Sequence, residues 1–228
     1  MVDVVPRGWL CELLQCKWAI MKDLLSDIRR ENFPEVARKL MNHYCVLKKD
    51  SRYDGDLIFR FVEIEFYLYD ASEQNVDAKT YSRDCKCGEW FFHGSGVDIA
   101  FDTVRDGDEL IRFGGVLIRG VEVYRQDEDG QWAQMGVIGG PKLSMYEMFN
   151  HALALPEIVA LPDELKTDKA TKCTERVGID DKLEQRYVME DVDWEKPTER
   201  VVERKEKDRS VYHVKLEKVS RKYNPKVG

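Results

Sequence analysis

The chain is short of several features that mark common protein classes. It has no apolar run long enough to cross a membrane, and only 4 of its 228 residues are histidine and 6 are cysteine. Six scattered cysteines do not make a dense disulfide framework. The N-terminal segment has neither a basic start nor a small-residue cleavage site, so it does not match a signal peptide. We therefore expect a cytoplasmic protein with free thiols and no membrane segment.

Positive charge is scarce in the body of the chain. The net charge is −7, from 36 Lys and Arg against 43 Asp and Glu. Residues 195–228 hold eleven basic and six acidic residues, a net of +5, which leaves 25 basic and 37 acidic residues, a net of −12, for residues 1–194. Non-specific binding of nucleic acid depends on cation contacts with phosphates, so the body alone is a poor ligand for DNA or RNA.

Metal-ligating residues are also sparse. Cys85 and Cys87 in CKCG, with His93 nearby, form the one cluster that suggests a metal. A C-x-C pair with one histidine lacks the fourth ligand of a structural zinc site. We expect no metal and no other cofactor.

Hydrophobic periodicity predicts a mixture of helices and strands. Residues 8–30 read as an amphipathic helix and residues 34–46 as a second helix that begins at Pro34. The other predicted elements are a loop over 70–89, two short strands across a glycine turn in 89–101, a connection over 103–115, a strand over 116–126 with a bulge near Gly120, a glycine–proline turn and helix in 139–150, a loop over 154–164, a strand or turn in 174–189, and a strand within the charged C-terminal tail.

The stretch FVEIEFYLYD, residues 61–70, is predicted to be a strand because it is rich in β-branched and aromatic residues. Alternation assigns Val62, Ile64, Phe66 and Leu68 to the core, and Phe61, Glu63, Glu65, Tyr67 and Tyr69 to the other face. Carboxylates and phenols on that second face could simply meet water. They could also line a pocket, where a carboxylate surrounded by aromatic rings is suited to acid or base chemistry.

Four blocks of the sequence, in this order, resemble one known family. They are Val62-Glu63-Ile64-Glu65-Phe66-Tyr67, the strand VLIRGVEV (116–123), the turn and helix GGPKLSMYEMFN (139–150), and ERVGIDD followed by RYV (175–188). They are similar to the V-E-T-E-A-Y, V-L-L-R-A-x-E-P, N-G-P-G-x-L-x-x-A-L-G-I and P-R-I-G-I…W-R-F blocks of the alkyladenine (3-methyladenine, methylpurine) DNA glycosylases. The resemblance covers about residues 35–190.

The resemblance implies a fold and a reaction. The fold is α+β, a single mixed domain with a curved, mainly antiparallel sheet flanked by helices, occupying residues 34–194 between an N-terminal helical segment (1–33) and a basic tail (195–228). The reaction is hydrolysis of the N-glycosidic bond of damaged or unusual purines in DNA, after the base is flipped into a pocket. By position, Glu65 corresponds to the glutamate that activates water, Arg119 to an arginine that helps to hold it, and Tyr67 to an aromatic that stacks on the base. No metal or cofactor is implied.

The remaining site residues follow from the same comparison and from the chemistry of a flipped base, which needs aromatic faces to replace its lost stacking. We expect Tyr81, Trp90, Phe92 and His93 in substrate binding. Lys142 is a candidate to bind a DNA phosphate at the N-terminus of a helix. Ser144 is a candidate for the N-cap of that helix. Each of these residues also has an ordinary structural interpretation as a packed ring, a turn histidine, an exposed lysine or a salt-bridge partner.

The sequence departs from the family at its DNA-handling positions. Tyr81 stands where the family has a stacking histidine, and Ser95 stands at the tyrosine that wedges into duplex DNA. These differences leave three hypotheses: a divergent glycosylase, acting on damaged duplex or on single-stranded DNA; a family member that hydrolyses or binds a small nucleoside-like ligand; and a non-enzymatic protein that binds a protein partner through its C-terminal tail. We expect a monomer.

Overall fold

The computed structural model describes residues 24–53, 56–73, 76–127, 129–179 and 183–194, together with the backbone of two further strands. Two α-helices lie wholly within the described residues, α1 (Phe33–His43) and α2 (Pro141–Phe149), and short 3₁₀ helices lie at Arg30–Asn32 and Asp163–Leu165. The strands are β1 (Tyr44–Lys49), β2 (Asp56–Asp70), β3 (Trp90–His93), β4 (Gly96–Ala100), β5 (Val104–Asp106), β6 (Glu109–Gln126), β7 (Trp132–Gly139), β8 (Glu157–Ala160), β9 (Thr171–Glu175), β10 (Glu184–Met189), β11 (Thr198–Lys205) and β12 (Tyr212–Val219).

Ten of these strands form one sheet, and the fold is a mixed α+β architecture with a mainly antiparallel sheet and 17% helix. Long strands β2 and β6 pair along nearly their whole length, from Leu57 opposite Arg125 to Asp70 opposite Arg112. The other edge of β2 is shared, because β1 pairs with its first half and β10 with its second half. The predicted curvature is wrong: the sheet is uncurled, and this long, continuous β2–β6 ladder runs through its centre.

The alternation of strand β2 changes halfway along its length: odd-numbered residues face the main core up to Phe61, and even-numbered residues face it from Val62 onward. The register shifts between Phe61 and Glu63 and again between Glu63 and Ile64, so the pairing skips Val62 in β2 and Arg119 in β6. Bulges of this kind re-aim the neighbouring side chains. Phe61 therefore packs in the main core together with Val62, and its predicted place beside Glu63 on the polar face is wrong.

The main core lies on one face of the sheet. Phe66 stacks on Phe33 of α1 with ring centroids 4.3 Å apart and meets Tyr187 of β10 edge-on at 5.5 Å. Leu25 and Ile28 are also buried in this core, so the described end of the predicted N-terminal segment packs with the domain that follows. Most of the predicted helix 8–30 lies outside the described residues.

Helix α1 ends earlier than predicted. It begins at Phe33, stops at His43, and gives way to β1, so Cys45 and Val46 are strand residues. The reason is non-local: β1 is paired on one side with β2 and on the other with β8, which bury both residues completely. Strand β8 itself lies in a stretch that was predicted to be a loop.

Two further expectations need correction. The connection predicted over 103–115 contains β5 and the start of β6, because Arg112 and the residues after it pair with the far end of β2, while Glu109 and Leu110 pair with β5. The strand predicted in the tail is present as β12, which pairs with β11 in a separate two-stranded sheet. Ser144 is not the N-cap of α2: that position is Gly140, with a positive φ of 92°. The predicted hairpin of β3 and β4, the strand over 116–126 and its bulge near Gly120 are confirmed.

No helix in the described part of the chain is both long and apolar enough to span a membrane.

Candidate functional site

A row of facing residues crosses five strands on the side of the sheet opposite the main core. Arg186 of β10 faces Glu65 of β2, which faces Leu117 of β6, which faces Asp98 of β4, which faces Phe91 of β3. Facing residues in an antiparallel sheet project from the same side, so all five belong to one surface. We call this side, from Glu63, Glu65 and Tyr67 to Asp98 and His93, the polar face.

Glu65 is completely buried and is held by three donors. The Tyr67 hydroxyl and Arg119 Nη1 donate to its Oε2 at 2.9 and 3.0 Å, and the Val177 backbone N–H donates to its Oε1 at 2.8 Å. Tyr67 is partly exposed and Val177 is 48% exposed. A single layer of residues therefore separates the Glu65 carboxylate from solvent, and its hydrogen-bond partners Tyr67 and Val177 belong to that layer.

Glu63, the preceding residue on the same face, is also completely buried. Its Oε1 accepts hydrogen bonds from Arg119 Nε at 2.9 Å and from Arg186 Nε at 2.7 Å. Arg119 thus bridges the two glutamates, and two carboxylates are balanced by two guanidinium groups. Such pairs interact strongly because little water screens them.

Arg176 joins this network to the loop that follows β2. Its guanidinium donates to both oxygens of Asp77, at 2.6 and 3.1 Å, and lies 4.6 Å from the centre of the Tyr67 ring. Burial opposes ionisation of Asp77, but the hydrogen bonds and the positive charge of Arg176, together with a hydrogen bond from the Lys79 backbone, lower its pKa. The pKa of Tyr67 is raised, first by burial and then by the negative charge of Glu65. Tyr67 therefore stays a neutral hydrogen-bond donor.

A second charged cluster occupies the β3–β4 end of the polar face. Asp98 is buried, accepts from Arg83 Nη1 at 2.5 Å and lies 2.9 Å from His93 Nε2. The Ser95 N–H donates to His93 Nδ1 at 3.3 Å, so Nε2 carries the proton that Asp98 accepts. Tyr81 lies 5.0 Å from the His93 ring and is 52% exposed. Tyr81 and His93 are thus adjacent aromatic groups, as a stacking surface for a base requires.

Trp90 and Phe92 do not belong to this surface. They alternate with Phe91 and His93 along β3, so they project from the core side, where both meet Phe149 of α2 edge-on at 5.1 and 4.8 Å. Trp90 also donates from Nε1 to the Pro156 carbonyl. Strand alternation therefore places these two rings on the side of the sheet opposite Glu65. Their predicted role in substrate binding stays a prediction.

Helix α2 contributes support rather than a contact at Glu65. The Ser144 hydroxyl is buried and donates to the Arg119 carbonyl at 3.1 Å, which fixes the backbone of the bridging arginine. Lys142 is exposed in the first turn of α2. Its predicted role toward a DNA phosphate stays a prediction.

Cys85 and Cys87 are not joined in a disulfide, and His93 is engaged with Asp98 and Ser95. Within the described residues, no group of three or more His, Cys, Asp or Glu side chains could hold a metal ion. The CKCG stretch therefore adds no ligand set to the site.

Sequence reasoning missed Arg176, Arg186, Asp77, Arg83 and Asp98 as members of the polar face. Arg176 and Arg186 stand in the ERVGIDD and RYV blocks, so they could have been named together with Arg119. Asp77, Arg83 and Asp98 carry no comparable signal, because acids and arginines in a polar loop and a short strand are ordinary surface residues.

A matched arrangement lies on the same side of the sheet, beyond the bulge. The Tyr124 hydroxyl donates to Glu122 Oε2 at 3.1 Å, and Arg60 lies 3.7 Å from that oxygen. Glu122 is buried, and Gln134 donates to its other oxygen. Glu122 thus repeats the Glu-x-Tyr geometry of Glu65 away from the polar face and provides an internal control.

The arrangement around Glu65 suits chemistry in which positive charge develops beside a carboxylate. A buried carboxylate can accept a proton from a water molecule and stabilise a cation that forms next to it. The Glu65 and Asp98 backbones lie two strands apart, roughly 10 Å. This spacing can place a sugar near Glu65 while an attached base lies near Tyr81 and His93. No protein-family model matches the chain, and no curated protein is similar enough to serve as a relative.

Proposed function

We propose that this protein hydrolyses the N-glycosidic bond of damaged or unusual purines, with Glu65 as the carboxylate that activates water and Arg119 as its positioning partner. The observation that carries the proposal is the convergence on Glu65 of three separated parts of the chain: the Tyr67 hydroxyl, the Arg119 guanidinium and the Val177 amide. These come from three of the four blocks that resemble the alkyladenine DNA glycosylases. The glycosylase-like fold is part of the same proposal.

The bond between C1′ of the sugar and the purine nitrogen breaks, its electron pair leaves with the purine, and the sugar gains oxocarbenium character. The oxygen of a water molecule then bonds to C1′ as one of its protons passes to Glu65. Glu65 then acts twice, as the base that takes a proton from water and as the negative charge beside the cation. Tyr67 remains neutral and donates to the carboxylate, which holds Oε2 in place. Tyr81 and His93 form the surface against which the purine stacks, and the ion pair of Arg83 with Asp98 fixes that surface.

The substrate must reach a carboxylate that is completely buried. Tyr67 and the turn at Val177 donate to Glu65 and form part of the layer above it, and both reach the surface. Because residues 1–194 carry a net charge of −12, single-stranded DNA or a short oligonucleotide is a better substrate than duplex DNA, which demands a larger basic surface.

A second candidate function is binding of a nucleoside-like ligand without hydrolysis. The complete burial of Glu65, and the balance of Glu63 and Glu65 against Arg119 and Arg186, favour it. A carboxylate that never meets water cannot activate it. In this case Tyr81 and His93 would bind the base, and the network beneath would be structural.

The test is single-turnover base release with enzyme in excess. The substrates are oligonucleotides that contain hypoxanthine, ethenoadenine or 3-methyladenine, each single- and double-stranded, and the corresponding free nucleosides. The variants are Glu65→Gln and the matched control Glu122→Gln, which removes an equally buried carboxylate with the same tyrosine contact. We expect Glu65→Gln to lose at least about 100-fold in rate and Glu122→Gln to keep the wild-type rate.

Three outcomes separate the two candidates. Release by the wild type and by Glu122→Gln, but not by Glu65→Gln, supports hydrolysis. Saturable binding of a nucleoside or oligonucleotide without release supports the binding function, and Tyr81→Ala should then weaken it. Neither release nor binding by a folded wild type contradicts both.

A further inference from the structure

We infer that Glu63 is a positioning residue, which sets the orientation of Arg119 and, through it, of Glu65. The inference rests on the proposed function for its catalytic consequence, but the coupling that it states is a property of the folded protein alone. Glu63 has no predicted role in the chemistry, and Arg119 links it to Glu65.

The geometry of Arg119 leads to Glu63. One guanidinium group donates from Nε to Glu63 and from Nη1 to Glu65, at 2.9 and 3.0 Å. A guanidinium is planar and its donors have a fixed mutual arrangement, so fixing Nε also fixes the direction of Nη1. Glu63 in turn is held by Arg186 Nε at 2.7 Å. Orientation is therefore passed along a chain from Arg186 through Glu63 and Arg119 to Glu65.

The backbone is built to allow this contact. Arg119 is the extra residue of the β6 bulge, between Gly120 opposite Glu63 and Ile118 opposite Ile64. In a regular ladder Arg119 would face a single residue of β2. The strand pairing skips Arg119, and its side chain reaches both glutamates of the polar face.

A glycine makes room for Glu63. A Cβ atom on Gly120 would lie 2.8 Å from the ring of Trp194 and 3.1 Å from Cβ of Glu63. Because position 120 has no side chain, Trp194 packs against the strand at the point where Glu63 projects. Glu63 is thereby enclosed, and little water can weaken its ion pairs.

The arrangement has a consequence for the reaction. If Arg119 were paired with Glu65 alone, its guanidinium could rotate about that single contact. Because Glu63 holds Nε, Nη1 is fixed against Glu65 Oε2 and the carboxylate keeps one orientation. A carboxylate of fixed orientation can stabilise the cationic sugar without first reorganising.

The first measurement tests the coupling without any substrate. Unfolding by urea is followed for the wild type, Glu63→Gln, Glu65→Gln and the double variant. We expect the midpoint shift of the double variant to be clearly smaller than the two single shifts added together, because both substitutions act on Arg119. The control cycle combines Glu63→Gln with Glu122→Gln, for which we expect additive shifts. Additive shifts in both cycles overturn the inference.

The second measurement tests the catalytic consequence by single-turnover base release. Glu63→Gln should lower the maximal rate about tenfold, the effect of one charge-assisted hydrogen bond, while the enzyme concentration at half-maximal rate changes less than about twofold. A purely structural role would reduce the fraction of folded protein and leave the rate per folded molecule unchanged. A full rate in Glu63→Gln, with Glu65→Gln inactive, overturns the positioning role but leaves the proposed function intact. No release by the wild type refutes the proposed hydrolysis, and the urea cycle then decides the inference alone.

Discussion

Two aspartates of the loop after β2 each pair with an arginine at the same distance and should have very different effects on stability. Asp77 and Arg176 are 2.6 Å apart and both are almost inaccessible, whereas Asp84 and Arg105 are 2.6 Å apart with 61% and 43% of their side chains exposed. Removing one partner of a buried pair leaves a charge that water cannot reach, at a cost of about 3–5 kcal/mol. An exposed pair is screened by solvent.

The experiment compares Asp77→Ala with Asp84→Ala by urea unfolding. With a slope of about 2 kcal/mol per M, we expect the midpoint of Asp77→Ala to fall by about 2 M and that of Asp84→Ala to stay close to wild type. Raising the salt concentration should not restore Asp77→Ala, because the lost pair is buried. Equal midpoints for the two variants would refute the assignment of Asp77 and Arg176 as the buried pair that fixes the loop.

Three other predictions concern pH and close packing. Burial opposes ionisation of Asp50, but hydrogen bonds with Arg52 and Lys48 lower its pKa to about 2, so the stability that it supplies should be complete above pH 4 and lost as the pH falls from about 4 to 2. Thermal unfolding across this range should show a smaller decline in Asp50→Asn, and an unchanged decline would count against the pair. Burial and the charge of Glu122 raise the pKa of Tyr124 to about 12, so its contribution to stability should be present below pH 10 and lost toward pH 12. Tyr124→Phe should reduce that alkaline loss in urea unfolding, and an identical loss would contradict the assignment. A Cβ on Gly114 would overlap the backbone oxygen of Tyr67, whereas one on Gly94 would meet nothing within 4 Å. Gly114→Ala should therefore lower the melting temperature strongly and Gly94→Ala hardly at all, and similar values for both would disprove the close approach.

Local pattern was sufficient to predict the centre of the sheet. The strand over 61–70 follows from β-branched and aromatic residues, and alternation correctly separated Ile64 and Phe66 from Glu63 and Glu65. It failed at Phe61, because an extra residue at position 62 shifts the alternation and nothing in the local sequence signals the bulge. The end of α1 was missed for a related reason: Cys45 and Val46 continue a helical pattern, but pairing with two distant strands overrides local preference.

The site was only partly predictable. Glu65, Tyr67 and Arg119 were named from the sequence and lie together. Trp90 and Phe92 were assigned from the family resemblance and from their aromatic chemistry, and period-two alternation in β3 would have put them on the opposite side from His93. The aspartates and arginines of the outer clusters could not be recognised, because their function depends on partners that are distant in sequence and on a burial that their residue types do not indicate.

The shared edge of β2 has a consequence for the order in which the chain can fold. Glu63 and Glu65 emerge from the ribosome early, but Val177 follows Glu65 by 112 residues and Arg186 follows Glu63 by 123. Until β10 is synthesised, the backbone groups on the second half of that edge have no strand to pair with. Glu63 and Glu65 lie beside that edge, and some of their hydrogen-bond partners have not yet been synthesised. Strand β1, by contrast, pairs with the first half as soon as the hairpin is complete. We therefore expect the polar face to be the last part of the sheet to fold. Until β10 is synthesised, the negative charges of Glu63 and Glu65 should disfavour pairing of the open edge with a wrong strand.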